Sequence, residues 1–285
     1  MKKLIFFFSL NLLAFSALAE KTLFCSHVQL CRMVDLIAHD NKMTNLKTES
    51  LINISGDPHE YEPNASEIKK LINVPVLLFG PNELNPWIKK IIYQRSTQAS
   101  SKSIDLKFTT SDYALYPMAT PEALSHFWLY PKIYCSLKLK LETELTKLYP
   151  SHITSHPCDF QKAENELLLA LQKNNLPIIL THDALLPLMY SLAQNKKQSI
   201  TAIKGSGHHD EVGPQSIKKM YKALKAPQVI WIIEAGINVP PIILNKKRPL
   251  DKLIQLDTAN STNDNPFSVL KELSVKLNRI SEKEI

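Results

Sequence analysis

Three histidines and one aspartate have the side-chain types and the placement to bind a divalent cation. Each lies in a distinctive segment of its own: His59 in GDPHEYEP (56–63), His126 in ALSHFWLYP (123–131), His182 in LTHDALLPLMY (180–190) and Asp257 in QLDTAN (255–260). Imidazole nitrogens and carboxylate oxygens bind divalent transition metals. Four such ligands from four separate segments predict a closed site without an open coordination position.

The segment around His59 predicts a rigid backbone. Pro58 and Pro63 restrict their own φ angles and bias the preceding residues towards extended geometry. Asp57 and Glu62 could accept a hydrogen bond from the imidazole or cap a helix, and Asp183 could do the same beside His182. The alternative for this segment is an exposed polar turn.

Each of the other three candidates also has an ordinary structural interpretation. His126, beside two aromatic residues, could be a packed loop histidine; His182 could cap the following helix; Asp257 could form a turn at the end of a strand. A single shared site explains all four positions together, whereas the structural interpretations require four coincidences.

Strand-like and helix-like segments alternate along the chain, which predicts an α/β fold with parallel sheets. The predicted strands are 21–26, 50–55, 74–80, 103–108, 176–183, 199–204, 228–236 and 252–257. The predicted helices are 29–38, 65–71, 85–94, 132–148, 159–174, 214–226 and 267–279, and a further helix follows the strand 176–183. His59, His182 and Asp257 fall at or just beyond the carboxyl ends of predicted strands, where such folds bind ligands.

The first residues, MKKLIFFFSLNLLAFSALAE, have the form of a secretory signal peptide with cleavage after Ala19. An uncleaved membrane anchor is the alternative, but the apolar segment is too short to span a membrane comfortably. No later segment approaches that length, so we expect an exported chain without stable membrane insertion. The net charge of +7 comes from dispersed lysines, which does not indicate nucleic-acid binding. With 6 glycines and no GxGxxG or GxxxxGK, the chain lacks a nucleotide-binding glycine loop.

Four cysteines, Cys25, Cys31, Cys135 and Cys158, could form two disulfides in an oxidising compartment. Three connectivities are possible. Cys25 and Cys31 lie six residues apart across a predicted strand-to-helix turn, which makes their pairing geometrically reasonable. Four buried thiols are the alternative.

The segments GDPHEYEPNASEIKKL, HFWLYPK, LTHDALLPLMY and QLDTAN, in this order and spacing, resemble the zinc- and manganese-binding receptors of ABC importers, the cluster A-I solute-binding proteins. DPHxYEP is the most specific element. The resemblance covers nearly the whole mature chain, and it implies a periplasmic metal receptor rather than an enzyme. It also implies an ABC permease and its ATPase as partners, and we expect a monomer.

The resemblance implies two lobes with mainly parallel sheets flanked by helices, joined by one linking helix. The expected division is a signal peptide (1–19), an N-terminal metal-binding lobe (20–157), a linking helix (158–175) and a C-terminal metal-binding lobe (176–285). His59 and His126 would bind the metal from the first lobe, and His182 and Asp257 from the second.

Three histidines and one aspartate favour Zn²⁺, with Mn²⁺ as the alternative, because imidazole suits zinc and carboxylate-rich sites suit manganese. Receptors of this type that favour manganese commonly have a glutamate where His182 stands. The chain departs from the pattern in having Ser125 where an acid usually precedes the second histidine, and it lacks the His-rich acidic loop of many zinc-type members. A different segment, GSGHHDE (205–211), could be an auxiliary capture loop or a solvated turn.

Two other functions fit parts of the pattern. An exported metallohydrolase would need an open metal position and a nearby base, but HEY is not HExxH and four protein ligands leave no open position. A metal-binding adhesin would use the same site without delivering its ion to a permease.

Overall fold

The computed structural model describes nine ranges of the chain: 21–52, 61–81, 84–85, 87–150, 153–193, 198–205, 212–235, 241–258 and 265–282. The expected signal peptide and His59 lie outside these ranges. Within them, no helix combines the length and apolar character needed to cross a membrane.

The first lobe is built on a sheet of four parallel strands. They are β1 (Lys21–His27), β2 (Leu46–Ile52), β3 (Val76–Phe79) and β4 (Lys102–Asp105), in the spatial order β2-β1-β3-β4. The chain leaves β1 to one side and returns past it to β3. The carboxyl ends of β1 and β3 therefore border a topological switch point, where α/β folds bind ligands.

The second lobe repeats this arrangement. Its strands β5 (Ile178–His182), β6 (Ile200–Lys204), β7 (Ile230–Glu234) and β8 (Lys252–Leu256) form a parallel sheet in the order β6-β5-β7-β8. Its switch point lies between β5 and β7. Two parallel sheets with flanking helices confirm the predicted α/β class, and the repeated order appears although the sequence shows no repeat.

Eleven α-helices connect and cover the strands in the described ranges: α1 (Val28–Asp40), α2 (Ala65–Asn73), α3 (Ile88–Arg95), α4 (Thr110–Leu115), α5 (Pro121–Ser125), α6 (Pro131–Leu148), α7 (Phe160–Lys173), α8 (Leu186–Ala193), α9 (Pro214–Ala223), α10 (Pro241–Leu244) and α11 (Ser268–Glu282). Short 3₁₀ turns occupy Phe127–Leu129 and Asp183–Leu185. The short helices α4 and α5 were not predicted, because five or six residues are too few to show a helical period.

One cluster of buried apolar side chains extends through both lobes. It includes Leu78 of the first sheet, Leu137 and Leu141 of α6, and Leu180 and Ile232 of the second sheet. Helix α7 packs against α6 and α11, and it spans most of the predicted linking helix 158–175. The predicted domain boundaries themselves remain a prediction.

Two disulfides form, and the structure thereby selects one of the three possible connectivities. Cys25 of β1 pairs with Cys31 of α1, with Cα atoms 5.5 Å apart, and Cys135 of α6 pairs with Cys158, with Cα atoms 5.7 Å apart. Both separations lie in the normal range for a disulfide. The first bridge encloses the β1–α1 turn, and the second ties α6 to the chain segment just before α7.

A buried guanidinium holds the outer part of the first lobe together. Arg95, at the end of α3, is 1% exposed. It donates to the carbonyl oxygens of Leu71 (2.6 Å), Val74 (2.8 Å) and Lys102 (2.7 Å), and burial lowers its pKa. Since helix ends leave carbonyls without intrahelical partners, Arg95 satisfies the end of α2 and fixes it to β4.

An arginine at the corresponding place in the second lobe likewise donates to the carbonyl oxygens at the end of a helix. Arg248, after α10, donates to the carbonyl oxygens of Leu224 (3.0 Å) and Ala226 (2.9 Å) at the end of α9. It also forms an ion pair with Asp251 (2.8 Å) next to β8. The two lobes therefore share this device as well as their strand order.

We predict that Arg95→Met lowers the free energy of unfolding by about 3 kcal/mol, because several buried carbonyls lose their donor at once. Urea unfolding of the metal-free protein measures this loss. Lys89→Met, at an exposed position of the same helix, is the matched control and should change stability by less than about 0.5 kcal/mol. Equal stabilities of the two variants would contradict the role of Arg95.

Candidate metal centre

His182 lies at the switch point of the second lobe. It is the last residue of β5, whose five residues are all buried because the strand is central in its sheet, and its side chain is about 6% exposed. The chain then turns through Asp183–Leu185 into α8. The end of a buried parallel strand therefore fixes the position of this imidazole, as the sequence predicted.

His126 reaches the same place from the first half of the chain. It follows α5, whose start is fixed by Pro121 and by the Thr120 hydroxyl, which accepts a hydrogen bond from the backbone N–H of Ala123 (3.1 Å). His126 is 7% exposed, and its ring lies edge-on to the ring of His182 with centroids 5.2 Å apart. The structure thus brings together two of the four predicted ligands.

The aromatic residues after His126 connect the two lobes by hydrogen bonds. The indole Nε1–H of Trp128 donates to the carbonyl oxygen of Thr258 (2.7 Å), and the hydroxyl of Tyr130 donates to the carbonyl oxygen of Ala184 (2.5 Å). Thr258 directly follows Asp257, and Ala184 lies two residues after His182. The segment that carries His126 is therefore bonded to both segments that carry the second-lobe candidates.

Tyr130 remains a donor over the physiological pH range. Burial raises the pKa of its hydroxyl well above the ordinary value, and negative charge on Asp183 and Glu234 raises it further. A neutral hydroxyl in this surrounding keeps its proton and its bond to Ala184.

Asp257 directly follows β8 and interacts electrostatically with the other lobe. Burial lowers the pKa of Arg32 on α1, while the negative charge of Asp257 raises it. Asp257 therefore lies within reach of a cation from the first lobe, on the side of its sheet where the strands end. This placement agrees with a residue at the boundary between the lobes.

His27 is a third histidine in this region, and the sequence analysis did not identify it. It ends β1, is 4% exposed, and stacks on Trp128 with centroids 5.2 Å apart and planes at 16°. Its Nδ1 accepts the backbone N–H of Gln29 (3.1 Å) and so caps α1. The signal was present in the sequence, because KTLFCSH places a histidine at the end of a strand, as LTHD does.

Glu234 was also missed. It ends β7, is 2% exposed, and its Oε2 lies 3.4 Å from Nδ1 of His182. Its backbone N–H donates to the hydroxyl of Thr181 (3.1 Å). An acidic residue closing the apolar strand QVIWIIE was the available signal.

The complete four-residue site remains a prediction. His59 lies outside the described ranges, as do His208 and His209 of the predicted capture loop. Within those ranges, no three His, Cys, Asp or Glu side chains form a group that could hold a metal ion. What the structure supplies is the pair His126–His182, with Asp257 just after the end of β8, two strands away from β5 in the same sheet.

A family model described as "Zinc-uptake complex component A periplasmic" matches residues 24–239. The matched range contains the three candidate histidines and ends before Asp257. No curated protein matches the chain by sequence.

Several solved structures share the fold. The laminin-binding protein Lmb of Streptococcus agalactiae, described as having adhesin and metal-transporting activity, superimposes with a TM-score of 0.66 at 15% identity, covering 90% of this chain and 99% of its own. The periplasmic zinc-binding protein TroA of Treponema pallidum superimposes with a TM-score of 0.66 at 14% identity, and the match covers 92% of this chain and 99% of TroA. A zinc-bound deletion mutant of ZnuA superimposes with a TM-score of 0.65 at 18% identity, and the match covers 92% of this chain and 96% of the mutant.

We predict that Tyr130→Phe and Trp128→Phe each lower the free energy of unfolding by about 1 to 2 kcal/mol, because each leaves a buried carbonyl of the second lobe without its donor. Urea unfolding of the metal-free protein is the measurement. Tyr221→Phe, at a tyrosine that is 49% exposed, is the control and should have no effect. A loss no larger than that of the control would contradict the importance of these bonds between lobes.

Proposed function

Because the chain belongs to the family of periplasmic zinc-uptake components, whose members are metal-binding receptors of ABC importers and not enzymes, we propose that it binds one Zn²⁺ through His59, His126, His182 and Asp257. The receptor would deliver this ion to its permease. The observation that carries the proposal is the contact between His126 and His182, two buried imidazoles that meet from opposite halves of the chain.

The chemistry of the donor set supports zinc. Three imidazoles and one carboxylate make a nitrogen-rich site, which suits zinc better than manganese. Both described imidazoles are nearly excluded from solvent; the ring of Trp128 lies beside His126, and His27 stacks on the indole of Trp128. A surrounding of this kind limits water access and strengthens the attraction between a dication and the Asp257 carboxylate.

The cellular role follows from the family. A receptor of this type works with an ABC permease and its ATPase, and the leader at residues 1–19 would export the chain to the compartment where disulfides form. We propose a monomer, since one chain supplies all four candidate ligands.

The first test of the site is the loss of individual ligands. We expect His126→Ala and His182→Ala each to weaken Zn²⁺ binding by about 100-fold or more, since removing even an outer-shell partner of a ligand costs about 10- to 100-fold. Competition with a chromophoric chelator measures the affinity. His156→Ala, at an exposed histidine, should leave it unchanged. If the exposed histidine mattered as much as the buried pair, the site assignment would be wrong.

The choice of metal is tested by uptake rather than by affinity, because almost any such site binds zinc more tightly than manganese, whichever ion the cell imports. We expect a deletion strain to grow poorly under zinc chelation and to recover with added zinc. Recovery with manganese alone would make manganese the cargo. Normal metal uptake in the deletion strain would favour the adhesin alternative.

A further inference from the structure

We propose that Glu234 is a positioning residue for the metal: it accepts a hydrogen bond from Nδ1–H of His182 and so reserves Nε2 of that ring for the ion. This inference rests on the proposed function, because it assigns His182 as a ligand. It adds a residue that the four-ligand site does not contain.

The sheet register places the two side chains together. β5 and β7 are parallel neighbours, with Ile178 opposite Ile230 and Leu180 opposite Ile232. Two residues further on, the same register sets His182 beside Glu234, where Oε2 lies 3.4 Å from Nδ1. The pair therefore lies at the switch point of the second lobe, where ligands bind in α/β folds.

Thr181 fixes the backbone from which Glu234 projects. Its hydroxyl accepts the backbone N–H of Glu234 (3.1 Å), and the residue is fully buried. This bond gives the threonine of the LTHD segment a role: Thr181 holds the end of β7, and Glu234 on that end holds His182. The neighbouring residue Ala235 donates to the carbonyl oxygen of Leu256, which extends the ladder to β8.

The burial of Glu234 indicates a function beyond packing. Its side chain is inaccessible to solvent, and in the described part of the chain the one basic group within ion-pair distance is the ring of His182. Its Oε1 is buried there without a hydrogen-bond partner. Burying a carboxylate in this way is costly unless positive charge compensates it. A dication on Nε2 would supply that charge, because it polarises the imidazole and strengthens the Nδ1–H bond to the carboxylate.

The hydrogen bond can be tested without any metal. In the ¹⁵N-histidine-labelled metal-free protein at about pH 8, where imidazoles are neutral, we expect His182 to carry its proton on Nδ1. His182→Gln assigns the resonance by its loss. In Glu234→Leu the proton should move to Nε2, the tautomer that an unpartnered imidazole favours. A proton on Nε2 in the wild type, or no change in Glu234→Leu, would overturn the proposal.

The consequence for metal binding is tested on the same variants. We expect Glu234→Leu to weaken Zn²⁺ binding by about 10- to 100-fold. Glu234→Gln retains an acceptor oxygen without the charge, and its Zn²⁺ affinity should fall less than that of Glu234→Leu. Thr181→Val removes the hydroxyl that accepts the Glu234 backbone N–H, and it should also weaken Zn²⁺ binding. Thr181→Ser keeps a hydroxyl at this position and should retain the wild-type affinity.

Glu164→Gln is the matched control. Glu164 is a buried carboxylate too, but it accepts from the hydroxyl of Tyr116 (2.7 Å) and pairs with Lys132 (3.2 Å) at α6 and α7. It should leave zinc affinity and the His182 tautomer unchanged. Equal affinity losses in Glu164→Gln and Glu234→Gln would reduce Glu234 to a structural role and overturn the proposal.

The two readouts separate the proposal from the function it rests on. A wild type that binds no Zn²⁺ would overturn the proposed function and the metal-positioning role with it. The tautomer would then still report whether Glu234 holds His182. A wild type that binds Zn²⁺ with unchanged affinity in Glu234→Leu would overturn the positioning role and leave the receptor function intact.

Discussion

The segment 126–131 is the constraint on which the rest of the site depends. It carries His126, and its next aromatic residues donate from Trp128 to Thr258 and from Tyr130 to Ala184. Both acceptors lie in the second lobe, beside the predicted ligands Asp257 and His182. Since the donors and acceptors of both hydrogen bonds are buried, each bond lost would leave a polar atom without water to replace it. The geometry of His126 relative to His182 is therefore set by the same residues that join the lobes.

The two lobes reach this boundary by the same physical means. Each is a parallel sheet with its first strand inside the sheet, so that a switch point opens at its carboxyl edge. Each also uses an arginine, Arg95 or Arg248, to satisfy the carbonyls at the end of the helix that follows its second strand. The ends of β1, β5 and β7 then present His27, His182 and Glu234 to the boundary.

The strand-end residues and the segment that carries His126 pack against one another in the candidate site. The rings of His126 and His182 meet edge-on, Trp128 contacts His126 and stacks on His27, and the Glu234 carboxylate contacts Nδ1 of His182. The Cys25–Cys31 disulfide closes the turn that carries His27, and the His27 side chain caps the start of α1. Rings on one side and a carboxylate on the other restrict the orientation of the imidazoles before an ion arrives, which reduces the ordering that binding requires.

The sequence by itself determined the α/β class, the main strands and helices, and the placement of His182 and Asp257 at strand ends, because apolar runs and their breaks are local signals. Family motifs identified the receptor type, and spacing favoured the Cys25–Cys31 bridge. Only the tertiary structure decided which strand lies beside β5, and hence that Glu234 contacts His182 across 52 residues of chain. It likewise brought His126 to His182. Strand order and lobe docking depend on packing between distant segments, and no local pattern records which of them become neighbours.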